Sequence, residues 1–341
     1  MKIKVLVGIF SRANHGRLQG VLKTFVEDDR FELQVMLGAS YYDKNVEYLA
    51  DSRINCLIAD DTHSSMAITT VIALINIPGE LERLKPDIVL IHGDRYELLS
   101  LAIAASYMNI PIAHTEGGEF TGCIDDKVRN AITALADCHF VATDEADWFI
   151  THRSNSADFD VFKVGSTALD LLDSKPIKKW NQVLILQHSD TTNKEDITPL
   201  LDAIEEILYC RNVIWINPNV DAGNKEILRK FHNLDDRICF KKDLTPNEYI
   251  KLMKESICII GNTSSGIKEG SYLGIPYVCV GSRQKGREHD KNTIMVKMDK
   301  KEIIEGFNTM IKKDILPSNY FGEGNASKMI ADILFERMNK L

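Results

Sequence analysis

The order of apolar runs and helical patterns along this 341-residue chain predicts an α/β protein built from two doubly wound parallel sheets. Three observations carry that expectation. Short runs rich in Val, Ile and Leu, such as Lys4 to Ile9 and Asp87 to His92, read as strands buried on both faces. Stretches of helical spacing follow them, as at Leu18 to Val26 and Glu97 to Met108. The alternation then restarts at Val183, beyond a Ser174-Lys175-Pro176 stretch that reads as a hinge. A chain of this length exceeds one comfortable core. The division expected is therefore 1–172 and 173–325, with an amphipathic helix at 326–340 returning to the first half.

In order, the first half reads as strand Lys4 to Ile9, helix Leu18 to Val26, strand Phe31 to Leu37, helix Asn45 to Ala50 and a short strand Asn55 to Ile58. A helical pattern from Ser65 to Leu84 follows, which Pro78-Gly79 is expected to kink or split. Strand Asp87 to His92, helix Glu97 to Met108, strand Pro111 to Thr115, helix Ala131 to Ala136 and strands His139 to Thr143 and Val161 to Val164 complete it. The second half alternates strands at Val183 to Gln187, Val213 to Ile216, Ile238 to Phe240, Ile257 to Ile260 and Tyr277 to Val280. Its helices are expected at Ile197 to Tyr209, Lys225 to Phe231, Asn247 to Lys254, Ile267 to Leu273 and Lys301 to Lys312.

Composition narrows the function classes. Hydrophobic content of 44% and charged content of 26% are those of an ordinary globular protein. No apolar run reads as a membrane span, and Met1 to Val7 runs straight into a strand, so a cytoplasmic location is expected. A net charge of -8 argues against nonspecific nucleic-acid binding. The seven cysteines have no CxxC pair and read as small core residues, not as a disulfide framework or zinc site. No HExxH is present and the remaining histidines show no metal-ligand spacing, so no metal and no cofactor is expected. No GxGxxG follows the first strand, which removes the best support for dinucleotide binding.

The chemistry gathers at strand ends. His114-Thr115-Glu116-Gly117-Gly118-Glu119 leaves a strand and leads, through a small-residue turn, to Asp125-Asp126 at a helix start. His92-Gly93-Asp94-Arg95 ends the preceding strand in the same way. Parallel sheets bind ligands at the carboxyl ends of their strands, so Asp94, Glu116 and Asp125 are the carboxylates placed for proton transfer. In the second half, Gly261-Asn262-Thr263-Ser264-Ser265-Gly266 opens a helix, where backbone N–H groups and the helix dipole suit a diphosphate. Glu269, one turn on, suits a ribose diol. His188 leaves a strand and can support a departing diphosphate. Arg283 offers a guanidinium and Asn219 an amide, while Arg12 starts a helix after the first strand.

The motifs HGDRYE at 92–97, HTEGGEFTGCIDDKVRNAITALAD at 114–137, QHSDTT at 187–192, NPNVDAG at 217–223, GNTSSGIKEG at 261–270 and GSRQKGRE at 281–288 resemble the hydrolysing UDP-N-acetylglucosamine 2-epimerases of sialic-acid biosynthesis. The resemblance spans nearly the whole chain. It implies a GT-B fold of two Rossmann-like domains with the nucleotide sugar in an interdomain cleft, and a homodimer or homotetramer. It makes Asp94, Glu116 and Asp125 the acid/base carboxylates and His188 the group beside the diphosphate. Thr263, Ser264, Ser265 and Glu269 would hold phosphate and ribose, with Arg12, Arg95, Asn219 and Arg283 as further nucleotide contacts. The chain departs from the family in having Asn14-His15 where an acidic residue and an aromatic are usual. The order of the three carboxylates as base, acid and water activator stays open at this point. So does the sugar: N-acetylglucosamine is the first reading and a UDP- or GDP-linked 2,4-diacetamido-2,4,6-trideoxyhexose the second. A GT-B glycosyltransferase and a noncatalytic nucleotide-sugar sensor are the rivals from other classes.

Overall fold

Strand β1 (Ile3–Ile9) shows why its run is apolar at nearly every position. Val5, Val7 and Ile9 enter one core cluster and Leu6 the other, on opposite faces of the sheet. The computed structural model describes residues 2–153, 160–173, 181–193, 195–219, 221–231, 236–242 and 244–340. The chain forms two units, one bounded by Met1–Glu119, Ile124–Leu171 and Gly322–Leu341, the other by Phe120–Cys123 and Leu172–Phe321. The expected hinge at Ser174, Lys175 and Pro176 lies outside the described residues.

In the first unit β1 is followed by α1 (Arg12–Glu27), β2 (Phe31–Gly38), β3 (Ser52–Ile54), α2 (His63–Leu84), β4 (Ile88–His92), α3 (Tyr96–Tyr107), β5 (Ile112–Thr115), α4 (Asp125–Leu135), β6 (Cys138–Val141), α5 (Asp144–Arg153) and β7 (Asp160–Lys163). The strands form a parallel sheet in the order β3-β2-β1-β4-β5-β6-β7. Strand order reverses between β1 and β4, and such a switch point opens a crevice at the carboxyl ends of the strands.

The second unit holds β8 (Gln182–Leu186), α6 (Thr198–Leu208), β9 (Asn212–Ile216), α7 (Asn224–Phe231), β10 (Cys239–Lys241), α8 (Pro246–Glu255), β11 (Cys258–Gly261), α9 (Ser264–Leu273), β12 (Tyr277–Val280), β13 (Thr293–Val296) and α10 (Lys300–Met310). Its parallel order, β10-β9-β8-β11-β12-β13, switches between β8 and β11. The last helix, α11 (Ala326–Met338), belongs to the first unit. Its Ile330, Ala331 and Leu334 share a core cluster with Leu18, Val21, Leu22 and Phe25 of α1.

Several expectations are corrected. Residues 45–50 form no helix, because Val46, Tyr48 and Ala50 alternate with exposed neighbours and pack at a period of two against the core. The short strand expected at Asn55 to Ile58 lies earlier, at β3. Pro78 does not split α2, whose capping box at Thr62 and Ser65 fixes its start. Buried Ala73, Ile77, Leu81 and Leu84 hold the helix on both sides of the proline. At 22 residues, with an 18-residue window of mean hydropathy 1.3, α2 is long and apolar enough to cross a membrane by length and composition. Its buried face places it in the core of the first unit. All seven cysteines are free, and Cys210 and Cys239 are exposed instead of in a core.

Candidate functional site

The loops at the two switch points carry the residues singled out in the sequence. In the first unit Glu116 follows β5. It is 3% exposed and has φ +60, the left-handed region that non-glycine residues rarely adopt. Its N–H donates to the Phe140 carbonyl at 2.9 Å, and its carboxylate accepts from the Ser166 hydroxyl. Arg17 Nη1 lies 3.6 Å from it and His92 Nε2 3.7 Å. The glycines after Glu116 are dictated by space. Gly118 has φ +79, and a Cβ there would lie 2.4 Å from the Ala146 carbonyl oxygen.

His114, fully buried, donates from Nε2 to the Gly93 carbonyl at 2.8 Å, while Thr133 lies 3.2 Å from Nδ1. Burial lowers its pKa to about 3, so the ring is neutral and that tautomer is the one the bonds require. This pins the turn that presents Asp94. The Asp94 carboxylate accepts from Arg129, a guanidinium 1% exposed. Arg129 also donates to Asp126 at 2.6 Å and to the Glu119 carbonyl at 2.8 Å. Asp125, half-buried, opens α4, where the helix dipole favours a carboxylate.

Two arginines are placed differently from each other. Arg12 is half-buried at the first position of α1. Arg95 donates to both oxygens of buried Glu97, at 3.0 and 2.7 Å. Asn14 and His15, the residues at which the chain departs from its resemblance, are buried and support the loops. Asn14 donates to the His92 carbonyl at 3.4 Å, and His15 Nδ1 is 3.0 Å from the Tyr41 hydroxyl.

In the second unit His188 follows β8 and is buried. Its Nδ1 accepts from the Asn219 N–H at 3.2 Å, so a neutral ring carries its proton on Nε2. Asn262 donates to the His188 carbonyl and accepts from its N–H. The Asn262 carbonyl in turn accepts from Arg283 at 3.1 Å and Gln284 at 3.2 Å. Gly261, at φ +142, brings β11 so close that a Cβ would lie 2.1 Å from the Leu186 carbonyl oxygen. Thr263 caps α9 and accepts from the Ser265 N–H. The Ser265 hydroxyl is also bonded to Tyr249. Ser264 is half-buried in the first turn of α9, and Glu269 is buried one turn on.

The structure thus brings Asp94 and Glu116 to neighbouring strand ends in one unit, with Asp125 at the start of the helix that follows. In the other unit it brings His188, Asn219, Arg283 and the start of α9 together. Sequence reasoning missed Arg129, Ser166, His92 and Asn262. Asn262 sits inside a motif that was read, and Arg129 lies one helical turn after Asp126. Nothing local marks Ser166, which meets Glu116 across fifty residues.

Residues 23–335 match the model of the UDP-N-acetylglucosamine 2-epimerase family. The chain is 30% identical over 360 residues, covering 97% of it and 95% of the relative, to a UDP-N,N'-diacetylbacillosamine 2-epimerase (hydrolyzing) of Legionella pneumophila. It is 29% identical over 324 residues, covering 86% and 84%, to the GDP/UDP-N,N'-diacetylbacillosamine 2-epimerase (hydrolyzing) of Campylobacter jejuni. Its fold matches the crystal structure of the UDP-GlcNAc 2-epimerase of Neisseria meningitidis bound to UDP-GlcNAc, with TM-score 0.81 and 20% identity over 98% of this chain and all of that one. A GT-B-like pair of doubly wound units, the loops at their switch points and a family match over most of the length lead to one conclusion: this chain belongs to the UDP-N-acetylglucosamine 2-epimerase family of nucleotide-sugar enzymes.

Proposed function

We propose that this protein is a hydrolysing 2-epimerase that converts UDP-N-acetylglucosamine and water to N-acetylmannosamine and UDP. The observation that carries the reading is the Glu116 carboxylate, buried and held at φ +60 beside Ser166, His92 and Arg17, in the same unit as Asp94 and Asp125. Such crowding suits groups that exchange protons. The names of the Legionella and Campylobacter relatives support the hydrolysing outcome.

Inverting carbon 2 requires its hydrogen to leave and return on opposite faces. In this reading a carboxylate takes the carbon 2 proton as the carbon 1–oxygen bond to UDP breaks, leaving a 2-acetamidoglycal. Water then adds its oxygen to carbon 1, and a carboxyl returns a proton to carbon 2 from the other face. One water is consumed and UDP is released. Hydrogen moves only as a proton, so no redox cofactor is called for. His188, Arg283 and the N-terminus of α9 are assigned to the diphosphate. Thr263, Ser264 and Ser265 belong to that phosphate site, Glu269 is assigned to the ribose, and Arg12 and Asn219 are further nucleotide contacts. Arg95, whose guanidinium is oriented by Glu97, is a further nucleotide contact. We also assign the enzyme to the cytoplasm and to a homo-oligomer.

A second reading keeps the reaction and changes the substrate to a UDP- or GDP-linked 2,4-diacetamido-2,4,6-trideoxyhexose. The names of the two relatives favour it. Incubation with each nucleotide sugar, following the free nucleoside diphosphate, separates the two. In deuterium oxide the free 2-epimer should carry one deuterium at carbon 2, and oxygen-18 water should label carbon 1. UDP-N-acetylmannosamine as the stable product, or oxygen-18 only in the UDP phosphate, would overturn the mechanism.

A further inference from the structure

One buried cation ties together the two loops that carry candidate acid/base groups. Arg129 is 1% exposed and contacts three segments: Asp94 at the end of β4, the Glu119 carbonyl at 2.8 Å in the segment after β5, and Asp126 at 2.6 Å in the first turn of α4. Asp126 is the neighbour of Asp125. Resting on the function proposed above, we propose that Arg129 is a positioning residue that locks the Asp94 turn to the start of α4, so that Asp94 and Asp125 are presented as one rigid pair.

The geometry favours this over a plain structural ion pair. The Asp94 side chain keeps 28% of its surface exposed, so the clamp holds the carboxylate without covering it. The same turn is held again by His114, whose bond to the Gly93 carbonyl is that of a neutral ring. The forked guanidinium satisfies separate acceptors at fixed angles, which a lysine cannot do. The charged groups facing Arg129 are Asp94, Glu119 and Asp126. Burial opposes its charge, and these carboxylates outweigh that opposition, so its pKa is raised and the cation persists.

The tests are Arg129→Met, Arg129→Lys and Asp126→Asn, assayed by UDP release. Misplacing reacting groups by about 1 Å costs on the order of 100-fold. Arg129→Met should therefore lower kcat by about 100-fold with KM changed less than about threefold. Arg129→Lys should recover about tenfold of that loss, because it restores charge without the fork. Asp126→Asn, which loosens only the α4 anchor, should lower kcat by about tenfold and decides the matter if Arg129→Met fails to fold. A second readout needs no turnover. The carbon-13 resonance of the Asp94 carboxyl, identified by its loss in Asp94→Asn, should titrate about one pH unit or more higher in Arg129→Met and nearer wild type in Arg129→Lys. Variants with a lower melting temperature but wild-type kcat and an unmoved titration overturn the proposal. If the wild type hydrolyses neither nucleotide sugar, the proposed function fails and the titration still decides this inference.

Discussion

The side-chain amide of Asn262 brackets the backbone of His188, accepting from its N–H at 2.8 Å and donating to its carbonyl at 2.9 Å. The Asn262 N–H donates to the Leu186 carbonyl at 3.0 Å. The β8–β11 ladder is thereby extended by one side chain, and the His188 loop moves with the start of α9. Asn262→Asp keeps the acceptor and removes the donor, leaving a carboxylate oxygen facing a buried carbonyl. We expect a loss of about 1–3 kcal/mol, measured by urea unfolding.

Buried Glu269 is assigned to the ribose, and that assignment can be weighed directly. Calorimetry should find that Glu269→Ala binds UDP more weakly by about 1.5–3 kcal/mol, the range for a lost charged hydrogen bond. Equal affinity in the two proteins removes the ribose role.

Turnover should divide the carboxylates from their supports. Asp94→Asn, Glu116→Gln and Asp125→Asn are each expected to lower kcat by about 100-fold or more while the fold survives. Ser166→Ala removes one donor to Glu116 and leaves the carboxylate, so about a tenfold loss is expected. Near-normal rates in the amide variants, together with lower melting temperatures, would show these carboxylates to be structural.

Two buried histidines set an acid dependence of stability. Burial lowers His114 to about 3 and His139 to about 4, against an ordinary value near 6.5. Between those limits the unfolded chain binds protons that the folded chain does not, so stability rises with pH. In that window each ring contributes a slope of up to about 1.4 kcal/mol per pH unit, and the stabilisation, complete above about 6.5, is lost as the pH falls toward 4. Urea unfolding across pH 4–7 measures it, and His139→Gln should flatten the curve.

Helix α2 bears on the proposed homo-oligomer. Ile68, Val71 and Ile75 lie along its outer face and are 47%, 56% and 73% exposed, and no charged residue occurs between Thr62 and Gly79 after His63. An apolar stripe of this kind is self-complementary across a two-fold axis. Val71→Lys with Ile75→Lys should shift sedimentation toward the monomer without lowering the melting temperature. An unchanged oligomer places the interface elsewhere.

Much of this arrangement is legible in the sequence, because parallel strands buried on both faces are apolar throughout and announce their own ends. Asp94, Glu116, His188 and the Thr263 turn each stand one to three residues past such an end. The segment around Val46, Tyr48 and Ala50 was misread because its period of two was hidden by short length and by exposed neighbours. Helix α5 and strand β13 escaped notice. The former opens with three acidic residues and the latter is only four residues long. The Arg129 clamp and the Ser166 bond join positions 35 and 50 residues apart. Local pattern carries no record of which distant side chains will meet.

The backbone at Glu116 sets two selective pressures against each other. A non-glycine residue at φ +60 costs about 1–3 kcal/mol, and a glycine would adopt the same conformation without strain. Only a side chain long enough to meet Ser166 and carry a proton serves the chemistry proposed for it. Screens that reward thermal robustness alone should therefore drift toward glycine at this position and enrich for well-folded, inactive enzymes. Laboratory evolution of this scaffold has to select for turnover from its first round.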